Sequence, residues 1–209
     1  MHSDMDQRRL AFLRLLRRHH AGVLRLSEDD VVQVRFVLQP STGKPVMPLA
    51  PRVLDAGNVV LCLPDDALEN PECLQLHGEL EPIDPLREGA CDRWLASFGK
   101  APTATWGVLH VQTAKRVDEV LDGELACLPN PLAKEEGKLC KFANERTAVL
   151  SQACAKQLKV ECEKPFAVGV DSFGVDVRLT FGLAKIEFSR VVASSDEAKE
   201  EIEALGKSI

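Results

Sequence analysis

Ala167-Val168-Gly169-Val170-Asp171-Ser172-Phe173-Gly174-Val175-Asp176-Val177-Arg178 spells two apolar runs around a short polar break. Phe166 to Val170 predicts a strand, and Val175 to Phe181 predicts a second one, because β-branched residues suit a pleated, half-buried surface. Asp171-Ser172-Phe173-Gly174 predicts the turn between them: an aspartate side chain can bond its own backbone two residues on, and glycine tolerates unusual dihedrals. Asp176 and Arg178 stand two apart, so they project to the same side and form a candidate ion pair.

Working outward, Lys185 to Val192 predicts a third strand. Ser194-x-x-Glu197 spells a capping box, which opens a last helix running to Leu205, with Gly206 behind it. On the other side, Asn130-Pro131 pairs an N-cap residue with a first-turn proline. One long helix is expected from there to about Leu158, with Leu132, Leu139, Phe142, Val149, Leu150 and Leu158 on its buried side. Residues 129–209 therefore read as helix, three strands, helix: a small α/β domain.

Residues 1–128 read differently. Leu10, Leu13 and Leu16 recur at helical spacing between about Asp6 and His20, and Gly22 ends that helix. Arg8, Arg9, Arg14, Arg17 and Arg18 give it a basic face. Strands follow at 31–38, 46–54 and 59–63; Pro48 and Pro51 predict an edge position for the second. Pro64 to Pro71 is expected as a loop, and residues 73–80 alternate as a half-buried strand. Asp84-Pro85 starts a helix expected to reach Phe98; Trp106 to Val117 and a short stretch within 120–128 are further strand candidates. Strands of this kind close into a small barrel or pack as sheets.

Composition bounds the function. The 209 residues are 45% hydrophobic and 28% charged, with a net charge of −6, which disfavours a nucleic-acid partner. No apolar run approaches the length needed to span a bilayer, and the start MHSDMDQRR lacks the apolar core of a secretion signal, so a cytoplasmic chain with no membrane partner is expected. Seven cysteines without a CxxC pair predict free, mostly buried thiols in a reducing compartment and no metal site; a redox-sensing thiol is the alternative.

Three stretches carry a family resemblance: Asn130-Pro131-Leu132 with Phe142-Ala143-Asn144-Glu145-Arg146, the hairpin 167–178, and Ile186-Glu187-Phe188-Ser189-Arg190-Val191-Val192. Together they resemble the C-terminal domain of haem-utilisation proteins, also carried by the plastid glutamyl-tRNA reductase-binding protein. In that family the preceding domain is a split barrel like that of pyridoxamine-phosphate oxidase, and Leu74-Gln75-Leu76-His77-Gly78-Glu79-Leu80-Glu81-Pro82 resembles one of its strands. The resemblance implies an α+β protein, a split β-barrel followed by the small α/β domain, forming a homodimer with FMN or haem between subunits. Two departures bear on the cofactor. The interval 64–72 is too short for the helix-bearing segment that helps form the family's flavin site. The family's His-x-Asn-x-Asp-His motif keeps only Asn144, and all five histidines lie before residue 111, so no haem ligand carries over to the C-terminal domain.

Binding a flavin phosphate calls for cations or amide donors aimed at the anion. Arg35, Lys44, Arg52 and Arg116 are the candidate cations of the barrel half, His77 is a candidate haem ligand in mid-strand, and Trp94, Trp106 and the phenylalanines are left to stack on an isoalloxazine ring. No catalytic residue is identifiable. Three functions remain: a flavin- or haem-binding member with a degenerate site, a non-catalytic regulatory or partner-binding protein of tetrapyrrole metabolism, and an active FMN-dependent oxidoreductase or haem-degrading enzyme.

Overall fold

The computed structural model describes residues 2–64, 72–180 and 182–207. The expected loop at 64–71 and the end of the strand at Phe181 fall largely outside them. The chain divides into two compact units, residues 1–129 and 130–209.

The first unit opens with α1 (His2–Arg18). Then come β1 (Ala21–Arg25), β2 (Val31–Arg35), β3 (Val37–Leu38), β4 (Pro45–Pro48), α2 (Pro51–Leu54), β5 (Asn58–Leu63), β6 (Leu74–Ile83), α3 (Gly89–Phe98), β7 (Trp106–Arg116), β8 (Glu119–Asp122) and α4 (Gly123–Ala126). The strands form one antiparallel sheet in the order β2-β1-β5-β6-β7-β4-β3, with β8 paired to β7. β2 and β3 terminate opposite ends of that order, yet only Phe36 separates them in the chain. The sheet therefore curls until one bent strand serves both edges, and a barrel results. Phe36 is fully buried at the bend, and its amide donates to the His20 carbonyl at 2.9 Å.

Alternation sorts the side chains. Leu24, Leu61, Leu63, Leu74, Leu76 and Leu109 point inward, where Phe12 and Leu16 of α1 join them. α3 covers part of the outer surface: Trp94 packs edge-on against Trp106, with centroids 5.6 Å apart, and its indole donates to the Arg35 carbonyl at 2.8 Å.

Three expectations are corrected here. The strand expected at 46–54 ends at Pro48, lies between β3 and β7 rather than at an edge, and gives way to a helix opened by Pro51. Its prolines cap the strand at both ends, so few ladder donors are lost. The strand expected within 120–128 is β8 followed by α4, whose N-cap Asp122 accepts from the Glu124 amide at 2.9 Å. Asp84-Pro85 forms a turn, and α3 starts later with Glu88 as its N-cap.

The second unit contains α5 (Glu136–Asn144), α6 (Thr147–Ala153), a π-helical turn (Cys154–Leu158), β9 (Phe166–Asp171), β10 (Gly174–Leu179), β11 (Gly182–Glu187) and α7 (Ser195–Ala204). The long helix expected from Pro131 is thus three shorter pieces, broken at Glu145-Arg146. Asn130 still caps locally: its Oδ1 accepts from the Leu132 amide at 3.0 Å. The strands order β11-β10-β9, all antiparallel, and Leu139, Leu150, Val170, Val175, Ile186 and Ile202 fill the core against the helices. Ser194 and Glu197 form the reciprocal capping box.

Candidate functional site

Register places the outward side chains of four barrel strands in two rows. Arg25 opposes Val60, Val60 opposes His77, and His77 opposes Thr113. In the neighbouring row, Val23 opposes Cys62, Cys62 opposes Gln75, and Gln75 opposes Lys115. The residues between them, Leu24, Leu61, Leu76 and Ala114, belong to the barrel core, which fixes both rows as outward-facing.

Three basic groups therefore share one face. Partial burial holds the His77 imidazole below its usual value, and the positive charges of Lys115 and Arg25 push it further the same way. The ring is kept neutral, with a nitrogen lone pair to offer as an acceptor or a metal ligand. Arg25 donates through Nη2 to the Cys62 sulfur at 3.7 Å, while its buried Nε has no hydrogen-bond partner. No carboxylate among the described residues pairs with Arg25, His77 or Lys115. An orphaned buried guanidinium nitrogen is costly unless an acceptor meets it. An anionic group such as a phosphate or a carboxylate satisfies that donor and both charges.

Of the five residues singled out in the sequence, only His77 belongs to this face. Arg116 takes the opposite parity at the end of β7 and pairs with Glu72 at 2.7 Å. Arg52 pairs with Asp30 at 3.2 Å. Arg35 lies over the Phe98 ring, 5.7 Å from its centroid. Lys44 reaches His110, with Nζ 2.9 Å from Nδ1, and His110 Nε2 in turn lies 2.6 Å from Glu81 Oε2. Trp94 and Trp106, 3% and 5% exposed, are spent on the packing under α3 and present no stacking surface. Arg25 and Lys115 escaped sequence reading because they align with His77 only through strand register. The available signal was parity: Lys115 shares the outward parity of Thr113, and Arg25 closes the first strand.

In the second unit, the hairpin that decides the fold carries a buried ion cluster. Lys185 Nζ lies 2.9 Å from Asp171 Oδ2 and 2.8 Å from Asp176 Oδ1, and the lysine side chain is 1% exposed. Asp171 also bonds the Phe173 amide at 2.8 Å, as its turn position requires. Arg178 lies over the Phe166 ring at 5.4 Å. Asp176 thus has Lys185 across the strand as a partner, a residue the sequence pattern did not pair with it. Among the described residues no cluster of three or more histidine, cysteine or acidic side chains could hold a metal ion, and no helix is long and apolar enough to cross a membrane.

No protein-family model matches the sequence, and no curated protein matches it. Among solved structures, a protein of unknown function from Agrobacterium tumefaciens is similar with a TM-score of 0.71 at 15% identity, covering 95% of each chain. A haem-binding protein from Mycobacterium smegmatis aligns with a TM-score of 0.42 at 16% identity, over 94% of this chain and 96% of that one. The first likeness shows the fold, and with the topology above it defines the class: an α+β protein made of a split barrel and a small α/β unit.

Proposed function

We propose that the barrel unit binds an anionic, planar cofactor on the face of Arg25, His77 and Lys115, with haem ahead of FMN. The observation that supports this is the neutral His77 ring set between two cations that have no carboxylate partner among the described residues. Arg25 and Lys115 would hold the acidic groups, and His77 would supply the nitrogen ligand; bound haem would bring an iron that accepts it. A flavin phosphate suits the same cations. The burial of both tryptophans removes two of the aromatic rings on which an isoalloxazine could stack, and this favours haem. The sequence resemblance implies FMN or haem without choosing between them and adds a homodimer to the reading, which sedimentation of the purified chain tests.

Titration of the full chain with hemin, and separately with FMN, followed by visible absorbance, tests the proposal. A saturable shift of the hemin spectrum is expected, lost in His77→Ala. Arg25→Ala and Lys115→Ala are each expected to weaken binding roughly tenfold, equivalent to about 1.4 kcal/mol. Saturable flavin uptake that depends on the same cations but not on His77 would move the assignment to FMN. Indifference to both compounds would overturn it.

A further inference from the structure

Two of the seven cysteines face each other. Cys62 sits in the outward row beside Gln75, and Cys73 precedes Gln75 by two residues, so both project from the same side of the β5–β6 pair as diagonal neighbours. Cys73 is near enough to push the Cys62 thiol up, adding to the effect of burial. Arg25 Nη2 points at the Cys62 sulfur at 3.7 Å, and Gln75 Nε2 points at the Cys73 sulfur at 3.6 Å. Cys154 likewise has Cys162 near it, whereas burial and nearby charged groups alone act on Cys91 and Cys127. Cys73 lies one residue beyond the last ladder pair, Leu63 with Leu74, so closing a disulfide would not break a ladder hydrogen bond of its own.

We propose that Cys62 and Cys73 are a redox dithiol that closes to a disulfide across the β5–β6 hairpin when a hydroperoxide is present. One thiolate attacks the peroxide and takes up its outer oxygen as a sulfenic acid, releasing an alcohol or water. The second thiol displaces that oxygen as water, and the sulfur–sulfur bond forms. Two thiols are oxidised, one peroxide is reduced, and no other reactant is needed. Burial holds the Cys62 thiol above its ordinary value, and the Arg25 guanidinium offsets part of that rise toward the thiolate that the chemistry requires. Burial of both sulfurs, 0% and 3% exposed, limits access to small oxidants. The site takes its reagents from the oxidant pool and stands whether or not the barrel binds a cofactor.

The full chain is treated with hydrogen peroxide at neutral pH, unfolded, alkylated and digested, and the peptides are read by mass spectrometry. The expected result is the loss of two alkylatable thiols per chain, a single cross-linked peptide joining residues 62 and 73, and recovery of both thiols with dithiothreitol. Cys73→Ser is expected to abolish the cross-link and leave Cys62 at the sulfenic stage. Mapping the unsubstituted chain decides the matter even where that variant folds poorly. Recovery of Cys62 and Cys73 as free thiols no faster lost than Cys91, their direct conversion to sulfinic acids, or a cross-link between any other pair would each overturn the proposal.

Discussion

Lys185 and Asp176 stand directly opposite on β11 and β10, with Nζ 2.8 Å from Oδ1. Asp171 meets the same ammonium at 2.9 Å, so one buried cation on β11 ties together β9 and β10 beside their turn. Burial alone would pull the lysine down, but the two carboxylates outweigh it and hold the ammonium above its ordinary value. Replacing only the cation leaves buried carboxylates facing a neutral chain. Lys185→Met is therefore expected to cost about 3–5 kcal/mol, read as a lower urea midpoint. The native contribution is whole below the unfolded lysine value of about 10.4 and fades as pH climbs through the higher folded value. An unchanged midpoint in Lys185→Met would show that the cluster contributes little.

The thiols are expected to react in a fixed order. Burial pushes Cys91, Cys127 and Cys154 up to about 11 each, from an ordinary 9.0. Cys140 and Cys162 are only half-buried. Iodoacetamide at pH 8 should label Cys140 and Cys162 first and leave those three silent until the chain unfolds, because only the thiolate attacks. The same three groups destabilise the fold in alkali. Their folded values are raised, so the unfolded chain loses its protons first, and stability falls as pH rises from about 9 towards 11. Early labelling of Cys127 in the folded chain would contradict this.

Substitution of Lys115 should be visible at His77. Burial and two cations depress the imidazole, so removing one cation, as in Lys115→Ala, should move its titration upward toward the ordinary value of 6.5. Burial and Arg25 remain, so the return is partial. Proton NMR of the ring resonances gives the midpoint directly. Because the folded value lies below the unfolded one, His77 contributes stability above pH 6.5 and loses it as pH falls.

Gly78→Ala should disturb the same face through the backbone. The pairing of β6 with β7 shifts register between His77 and Gly78, and a Cβ on Gly78 would come within 2.1 Å of the His110 carbonyl oxygen. No flexible side chain can yield there, because the obstacle is main chain. A loss of about 1–3 kcal/mol is expected from thermal unfolding, as for other overpacked sites.

Much of the second unit was legible because its signals are local. The hairpin 166–179, its turn at Ser172-Phe173 and the capping box at Ser194 each depend on residues a few positions apart. The break at Glu145-Arg146 was not legible: the apolar spacing from Leu132 to Leu158 runs on as one helix, and only packing divides it. In the first unit, the pattern 31–38 marked a strand but not its role, since the bend at buried Phe36 exists only once both edges of the sheet meet.

The sequence by itself determined two units of different character, the strand-rich nature of the first, the hairpin of the second, and the presence of His77 in mid-strand. Those properties follow from side-chain periodicity and turn chemistry, which act over short stretches of chain. Only the tertiary structure decided that Arg25 and Lys115 share a face with His77, that Lys44, Arg52 and Arg116 are already engaged elsewhere, and that Cys62 meets Cys73. The placing of Arg25, His77, Lys115, Cys62 and Cys73 rests on the register between strands, and a slip of one residue would turn those side chains to the opposite surface.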